Sequence, residues 1–97
     1  MKRNLRKLAK GRECQIRIPL FCSHNDEETV LCHDNLAGVG GMGMKAPDVC
    51  GAWGCSKCHE IVDGRRITSI PYERVRLMFY EGMSRTLAIL SKEKKIG

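Results

Sequence analysis

The segment Ala52-Trp53-Gly54-Cys55-Ser56-Lys57-Cys58-His59 places two cysteines two residues apart and follows them directly with a histidine. This gap lets both thiolates reach one tetrahedral Zn²⁺ from the first turn of a helix, whose backbone N–H groups also favour their negative charge. The apolar residues that follow predict that the helix continues through Val62 and ends at Gly64. A redox dithiol would need a surrounding βαβ pattern, which this sequence lacks.

A second pair of cysteines must complete such a zinc site. Cys14 and Cys22 enclose seven residues, and the alternating stretch 14–18 predicts a strand that ends at Pro19. The segment can therefore fold back and present both sulfurs on one side. The sequence thus predicts one structural Zn²⁺ ion that is held by Cys14, Cys22, Cys55 and Cys58. We interpret the two remaining cysteines, Cys32 and Cys50, as small hydrophobic residues.

The distribution of charge indicates a polyanionic partner. The chain has 97 residues, which predicts one domain over residues 1–97, and a formal net charge of +6. Residues 1–12 carry six basic side chains and no acid, residues 65–97 carry eight basic and three acidic, and residues 13–64 carry three basic and eight acidic. Uneven surface charge that serves solubility alone is the alternative. The candidate nucleic-acid contacts are Lys2, Arg3, Arg6, Lys7, Lys10, Arg12, Arg65 and Arg66.

Membrane and secretory signals are missing from the sequence. The longest apolar runs fall far below the roughly 18 residues of a membrane-spanning helix. The basic residues at the start are not followed by the apolar stretch of a signal peptide. We therefore expect a cytoplasmic location, in which thiols stay reduced, and no membrane partner.

The remaining pattern predicts a small α+β domain. Residues 1–12 are consistent with a basic arm or a short helix, and the apolar run 29–32 predicts a strand that ends on His33. The glycine-rich residues 36–47 predict a loop, and Asp48 is a candidate cap for a short turn through Trp53. Pro71 begins a long amphipathic helix within residues 67–97. Its Met78, Phe79 and Met83 face can pack on its own domain or form a homodimer.

Two histidines are candidates for chemistry. His59 and Asp63 are four residues apart, so on a helix they share one face and can hold a divalent cation together. The alternative is that Asp63 forms a surface turn and pairs with Arg65 or Arg66. His33 ends a strand just before the glycine-rich loop, where a ring nitrogen can face a cleft and accept a proton from water. A polar residue on a rim is the alternative for His33.

These motifs together resemble the HNH, or ββα-metal, endonucleases, whose treble-clef-like finger here would span residues 13–66 and precede the C-terminal helix. The sequence is most similar to the YbcO-like nucleases of lambdoid prophages. The resemblance rests on Arg12-Glu13-Cys14, on Val30-Leu31-Cys32-His33, on the glycine-rich stretch, on the segment 52–59 quoted above, and on Asp63-Gly64-Arg65.

The resemblance implies catalytic roles that spacing alone does not. It implies that His33 is the general base, that His59 binds a catalytic Mg²⁺ or Mn²⁺ ion, and that Asp48 takes the place of an asparagine that orients the base. The sequence departs from the family pattern at Cys32, where many relatives have a metal ligand. Asp63, Asp34 or water and phosphate would then complete the metal shell.

Three functions follow as hypotheses. The leading one is a metal-dependent DNA endonuclease of phage or prophage origin, with Zn²⁺ as its structural ion. The alternative is a non-catalytic, zinc-stabilised module that binds nucleic acid, which needs neither His33 nor His59. A phage protein that docks on a host partner through its C-terminal helix is a third possibility.

Overall fold

A computed structural model describes residues 5–34 and 47–95 of the chain. In chain order these residues form helix α1 (Leu5–Ala9), a 3-10 turn (Asp26–Glu28), strand β1 (Val30–His33), strand β2 (Gly51–Gly54), helix α2 (Ser56–Val62) and helix α3 (Tyr72–Lys92). The fold is therefore a small α+β domain with a C-terminal helix, as predicted. Lys2, Arg3 and nearly all of the glycine-rich segment lie outside the described residues.

The sheet is a two-stranded antiparallel ribbon. Its register pairs Val30 with Gly54 and His33 with Gly51. The strand that ends on His33 was predicted, whereas β2 replaces the turn expected after Asp48. Two glycines and an alanine have poor strand propensity, so it is pairing with β1 and complete burial that hold this segment extended.

The predicted strand over residues 14–18 is wrong. Positive φ angles of 55° at Arg17 and 70° at Leu20 turn the chain between Cys14 and Cys22 into a compact loop, called the knuckle below. The backbone N–H groups of Phe21 and Cys22 both donate to the carbonyl of Ile18, which closes that turn. The alternation of Ile16 and Ile18 instead reflects burial, because both side chains lie in the core.

Helix α2 begins and ends where its sequence predicts. Cys55 is its N-cap, and its Sγ accepts from the Cys58 backbone N–H at 3.4 Å. Gly64 follows the helix with a φ of +77°, the left-handed conformation typical of a helix C-terminus. The helix buries Cys58, Ile61 and Val62.

Helix α3 packs its apolar face onto the rest of this chain. Val75 and Phe79 are buried in the main core, and Met78 and Met83 pack against it. Gly82 faces the backbone of the knuckle so closely that an added Cβ would lie 3.0 Å from the Gln15 carbonyl oxygen. The face considered for a homodimer is thus in contact with the chain's own core. No helix within the described ranges is long and apolar enough to span a bilayer.

Candidate functional site

The structure brings the four predicted zinc ligands together. The knuckle supplies Cys14 and Cys22, and the start of α2 supplies Cys55 and Cys58, with all four sulfurs within 4.8 Å of one another. A tetrahedral site with Zn–S bonds of about 2.3 Å places its sulfurs about 3.8 Å apart. The Cys55 and Cys22 sulfurs are 3.8 Å apart, so this cluster has the dimensions of a zinc site.

Backbone amides surround the sulfurs and favour their ionised form. The N–H of Arg17 donates to Cys14 Sγ at 3.5 Å, and the N–H groups of Ser23 and Cys58 donate to Cys55 Sγ, each at 3.4 Å. Such N–H···S contacts lower the free energy of a thiolate. The amides are therefore arranged as they would be around a thiolate-bound cation.

The thiols also compete for protons, because four adjacent sulfurs cannot all ionise without a cation. A hydrogen bond from the Cys58 thiol lowers the pKa of Cys14 to about 4, and the same contact raises the pKa of Cys58. Burial raises the pKa of Cys22 to about 11. A bound divalent cation would remove this conflict by stabilising all four thiolates together.

The other two cysteines lie outside this cluster. Cys32 is 1% exposed within the main core, where burial raises the pKa of its thiol. Cys50 is half-buried just before β2. Within residues 5–34 and 47–95, Cys14, Cys22, Cys55 and Cys58 are the only group of three or more side chains placed to share a metal ion.

His33 and Asp48 meet at the end of the sheet that is opposite the start of α2. His33 Nε2 lies 2.7 Å from Asp48 Oδ1, and both side chains are partly accessible. The hydrogen bond with His33 lowers the pKa of Asp48, and the charge of Arg6 adds to this effect. An ionised carboxylate only accepts hydrogen bonds, so in the neutral imidazole the proton is on Nε2 and the lone pair is on Nδ1.

Arg6 adds a cation to this pair. Its Nε lies 3.4 Å from the same Asp48 oxygen. This contact could not be predicted from the sequence, because 42 residues separate Arg6 from Asp48 and no local motif links them. Asp48 therefore lies between an imidazole and a guanidinium.

His59 and Asp63 also lie together, as their spacing on α2 predicts. His59 Nε2 is 3.1 Å from Asp63 Oδ2, and Arg65 Nη2 approaches the same oxygen at 3.4 Å. Two ligands that bind one Mg²⁺ ion at about 2.1 Å and at right angles are about 3 Å apart. The imidazole and carboxylate thus have the separation of two adjacent ligands, and the pairing with Arg65 is present as well.

The predicted nucleic-acid contacts fall into different environments. Arg12 makes a two-point salt bridge with Glu93, at 2.5 and 2.7 Å, and its guanidinium carbon lies 4.8 Å from the centre of the Trp53 ring. Arg65 and Arg66 approach Asp63 and Glu60 respectively. Three of the residues, by contrast, line one groove: Arg6, Lys7 and Lys10.

Comparison with known proteins assigns the chain to a family. A family model described as "Putative nuclease YbcO" matches residues 3–95. A protein of Escherichia coli (strain K12) named "Putative nuclease YbcO" is 44% identical over 90 residues, which cover 93% of each chain. A protein of Enterobacteria phage 82 named "Putative nuclease ybcO" matches to the same extent, with 44% identity over 93% of each chain.

A solved structure is also similar. It is described as "Structure of a putative bacteriophage protein from Escherichia coli str. K-12 substr. MG1655", and it aligns with a TM-score of 0.78 and 38% sequence identity. The alignment covers 94% of this chain and 100% of that one. The chain therefore belongs to the YbcO family, whose model carries the description of a putative nuclease.

Proposed function

We propose that this protein is a metal-dependent DNA endonuclease of phage or prophage origin that hydrolyses phosphodiester bonds by an HNH-type mechanism. The observation that carries the proposal is the 2.7 Å contact between His33 Nε2 and Asp48 Oδ1. A carboxylate that fixes the orientation and tautomer of an accessible imidazole is the arrangement of a general base. The names of the family relatives, which describe nucleases, also support it.

His33 acts on water through Nδ1 in this mechanism. Asp48 accepts the hydrogen bond from Nε2–H and thereby keeps the Nδ1 lone pair available. That lone pair takes a proton from the attacking water, whose oxygen forms a new bond to phosphorus as the bond from phosphorus to the leaving oxygen breaks. The leaving oxygen then takes a proton from solvent. Asp48 is thus the positioning residue, and His33 is the catalytic base.

His59 and Asp63 would hold the catalytic divalent ion, Mg²⁺ or Mn²⁺. Their Nε2 and Oδ2 atoms lie 3.1 Å apart, a separation that would let both side chains bind one divalent ion. When bound, the ion supplies Lewis-acid stabilisation of negative charge on the phosphate and the leaving oxygen. Arg65 beside Asp63 adds a further positive charge on this side of the molecule.

The four cysteines would hold a structural Zn²⁺ ion with no part in the chemistry. Their sulfurs form a closed set of four ligands, which leaves no open position for water or substrate. The ion would tie the knuckle to the start of α2, the helix that carries His59. Loss of zinc would therefore disturb the catalytic residues only indirectly, through the fold.

Phosphate contacts from basic residues would hold the DNA. We leave Arg12 out of this set, because Glu93 and Trp53 already occupy its guanidinium. Lysine and arginine contacts to phosphate release counterions, so affinity should fall steeply with rising salt. Such contacts read no base sequence.

The test is cleavage of plasmid and branched DNA by zinc-loaded protein with Mg²⁺ or Mn²⁺. The matched control is a His33→Ala variant that retains its zinc. We expect cleavage by the parent protein and a loss of at least about a hundredfold in rate for the variant. Unchanged cleavage by the variant would exclude His33 as the base. Binding without cleavage on every DNA form would favour the non-catalytic zinc-stabilised module.

A further inference from the structure

We propose that a groove linked through Arg6 to His33 and Asp48 binds one nucleotide of the substrate strand, with the phosphate of that nucleotide against α1. The groove lies between α1 and the start of β1 and is called the α1 groove below. It is lined by Arg6, Lys7, Lys10, Glu27, Thr29 and Val30. The proposal rests on the proposed function, because it assigns the strand-binding part of the same site.

The size of the α1 groove suits a nucleotide. Its volume is about 700 Å³. Sites for small organic ligands in proteins are typically about 300–1,000 Å³. The groove therefore has room for a nucleotide.

The charge of the α1 groove suits a phosphate. Arg6, Lys7 and Lys10 are all exposed along α1 and the turn that follows it. No carboxylate in the described part of the chain forms an ion pair with Lys10. A guanidinium and an ammonium group on one side of a concave surface attract a phosphodiester through charge-assisted hydrogen bonds.

Thr29 provides a second, independent indication of a ligand. The residue is only 2% exposed, and its Oγ1 has no hydrogen-bond partner among the described residues. A buried hydroxyl without a partner is unfavourable unless a ligand or water supplies one. Thr29 also lines the groove, so a phosphate or sugar oxygen bound there would lie close to this residue.

The remaining lining residues suit the sugar and base of a nucleotide. Val30 is 42% exposed and offers an apolar surface at the start of β1. Glu27 supplies a carboxylate that can accept a hydrogen bond from a base amino group. A bare inorganic anion would use neither of these groups.

Arg6 joins the α1 groove to His33 and Asp48. It lines the groove, and its Nε also lies 3.4 Å from the Asp48 oxygen that contacts His33. A nucleotide in the groove would therefore belong to the strand whose scissile phosphate lies at His33. Arg6 would then lie between the phosphate of this nucleotide and the scissile phosphate.

Binding measurements on a cleavage-deficient background test the proposal. Zinc-loaded His33→Ala protein would be titrated with labelled oligonucleotides, alone and with Lys10→Gln or Thr29→Val. The control is Lys92→Gln, which removes the same charge from the exposed end of α3. We expect Lys10→Gln to weaken binding about fivefold or more and Lys92→Gln to weaken it less than about twofold. Thr29→Val should weaken binding without lowering the melting temperature, because it removes an unsatisfied hydroxyl.

Oligonucleotides with a single uncharged methylphosphonate linkage locate the phosphate. At one linkage position the substitution should weaken binding to the His33→Ala protein but not to the double variant that also carries Lys10→Gln. If all groove variants bind every oligonucleotide as the Lys92→Gln control does, the groove assignment is overturned, and cleavage by the parent protein would leave the nuclease proposal standing. If the parent cleaves no DNA but the methylphosphonate effect depends on Lys10, the groove assignment holds and the nuclease proposal fails.

Discussion

Cys55 is both the N-cap of α2 and a member of the four-cysteine cluster. Its sulfur caps α2 by accepting from the Cys58 N–H, and it also lies 3.8 Å from Cys22 Sγ in the four-cysteine cluster. Burial alone would raise its pKa, but the N–H groups of Cys58 and Ser23 outweigh burial and lower the pKa. The start of the helix and the proposed zinc site therefore depend on the same thiolate.

Two cysteine substitutions should distinguish a zinc ligand from a cysteine that only packs in the core. We expect Cys58→Ala to abolish zinc binding and cooperative unfolding, because three thiolates leave the tetrahedral shell incomplete. Cys32→Ala should keep its zinc and lose roughly 1 kcal/mol of stability, since it only removes a buried sulfur from the core. Metal analysis and thermal unfolding would measure both effects. Equal loss of zinc in the two variants would contradict the ligand assignment.

The positioning role of Asp48 can be tested by comparing its substitution by asparagine with its substitution by alanine. Asp48→Asn keeps an oxygen that accepts from His33 Nε2–H, so we expect kcat to stay within about tenfold of the parent protein. Asp48→Ala removes that acceptor and should lower kcat by about a hundredfold with little change in KM. Steady-state cleavage kinetics would distinguish them. An asparagine variant as impaired as the alanine variant would show that charge matters more than orientation.

At the scale of elements, helices were more predictable than strands. The 3.6-residue pattern from Val75 to Leu90 and the cysteine spacing of α2 are local signals, and both helices form where the sequence indicates. Strand β2 carries no such signal in Gly51–Gly54, because its conformation depends on pairing with β1. The alternation at residues 14–18 was misleading because apolar side chains can also be buried alternately along an irregular knuckle.

Gly82 lies where α3 packs closely against the backbone of the knuckle. A Cβ at this position would lie 3.0 Å from three backbone atoms of Gln15 and Ile16. We expect Gly82→Ala to destabilise the protein by about 1–2 kcal/mol, because overpacking against backbone outweighs the gain in helix propensity. Ser84→Ala, on the exposed side of the same helix, is the control and should change little. Chemical denaturation would measure both, and a Gly82→Ala variant more stable than the parent would contradict the packing.

At the scale of the whole molecule, an ion pair joins residues from the two basic ends of the chain. Arg12 follows α1 and Glu93 caps α3, so their two-point salt bridge connects positions 81 residues apart. The guanidinium also lies against Trp53, which belongs to the acidic middle segment, residues 13–64. Arg12, predicted as a nucleic-acid contact, thus makes contacts that support the fold.

The salt bridge between Arg12 and Glu93 gives stability a defined pH dependence. The hydrogen bond from Arg12 lowers the pKa of Glu93, so this contribution is present above the unfolded-state value of about 4.3 and is lost as pH falls through the lower folded value. We expect Glu93→Gln to melt below the parent protein at pH 7, with the difference shrinking below about pH 4. Melting temperatures across this range would measure it. A difference that is the same at both pH values would exclude the carboxylate charge as the cause.

The candidate site was predictable where its residues lie close in sequence. His59 and Asp63 share one helix, and the spacing of Cys55 and Cys58 carries its own chemistry. The contact between His33 and Asp48 was implied only by family resemblance, because 15 residues separate them. The contact of Arg6 with Asp48 and the position of Thr29 in the α1 groove depend on tertiary packing, which no local pattern encodes.

In the proposed mechanism, His33 and a divalent ion other than the structural zinc together cleave DNA. The most direct measurement is the cleavage rate of zinc-loaded protein as Mg²⁺ or Mn²⁺ is titrated, for the parent protein and for zinc-loaded His33→Ala. We expect no cleavage without added ion, a saturable rise in rate for the parent protein, and almost no rise for the variant. Cleavage that does not depend on the added ion, or that rises equally in both proteins, would contradict it.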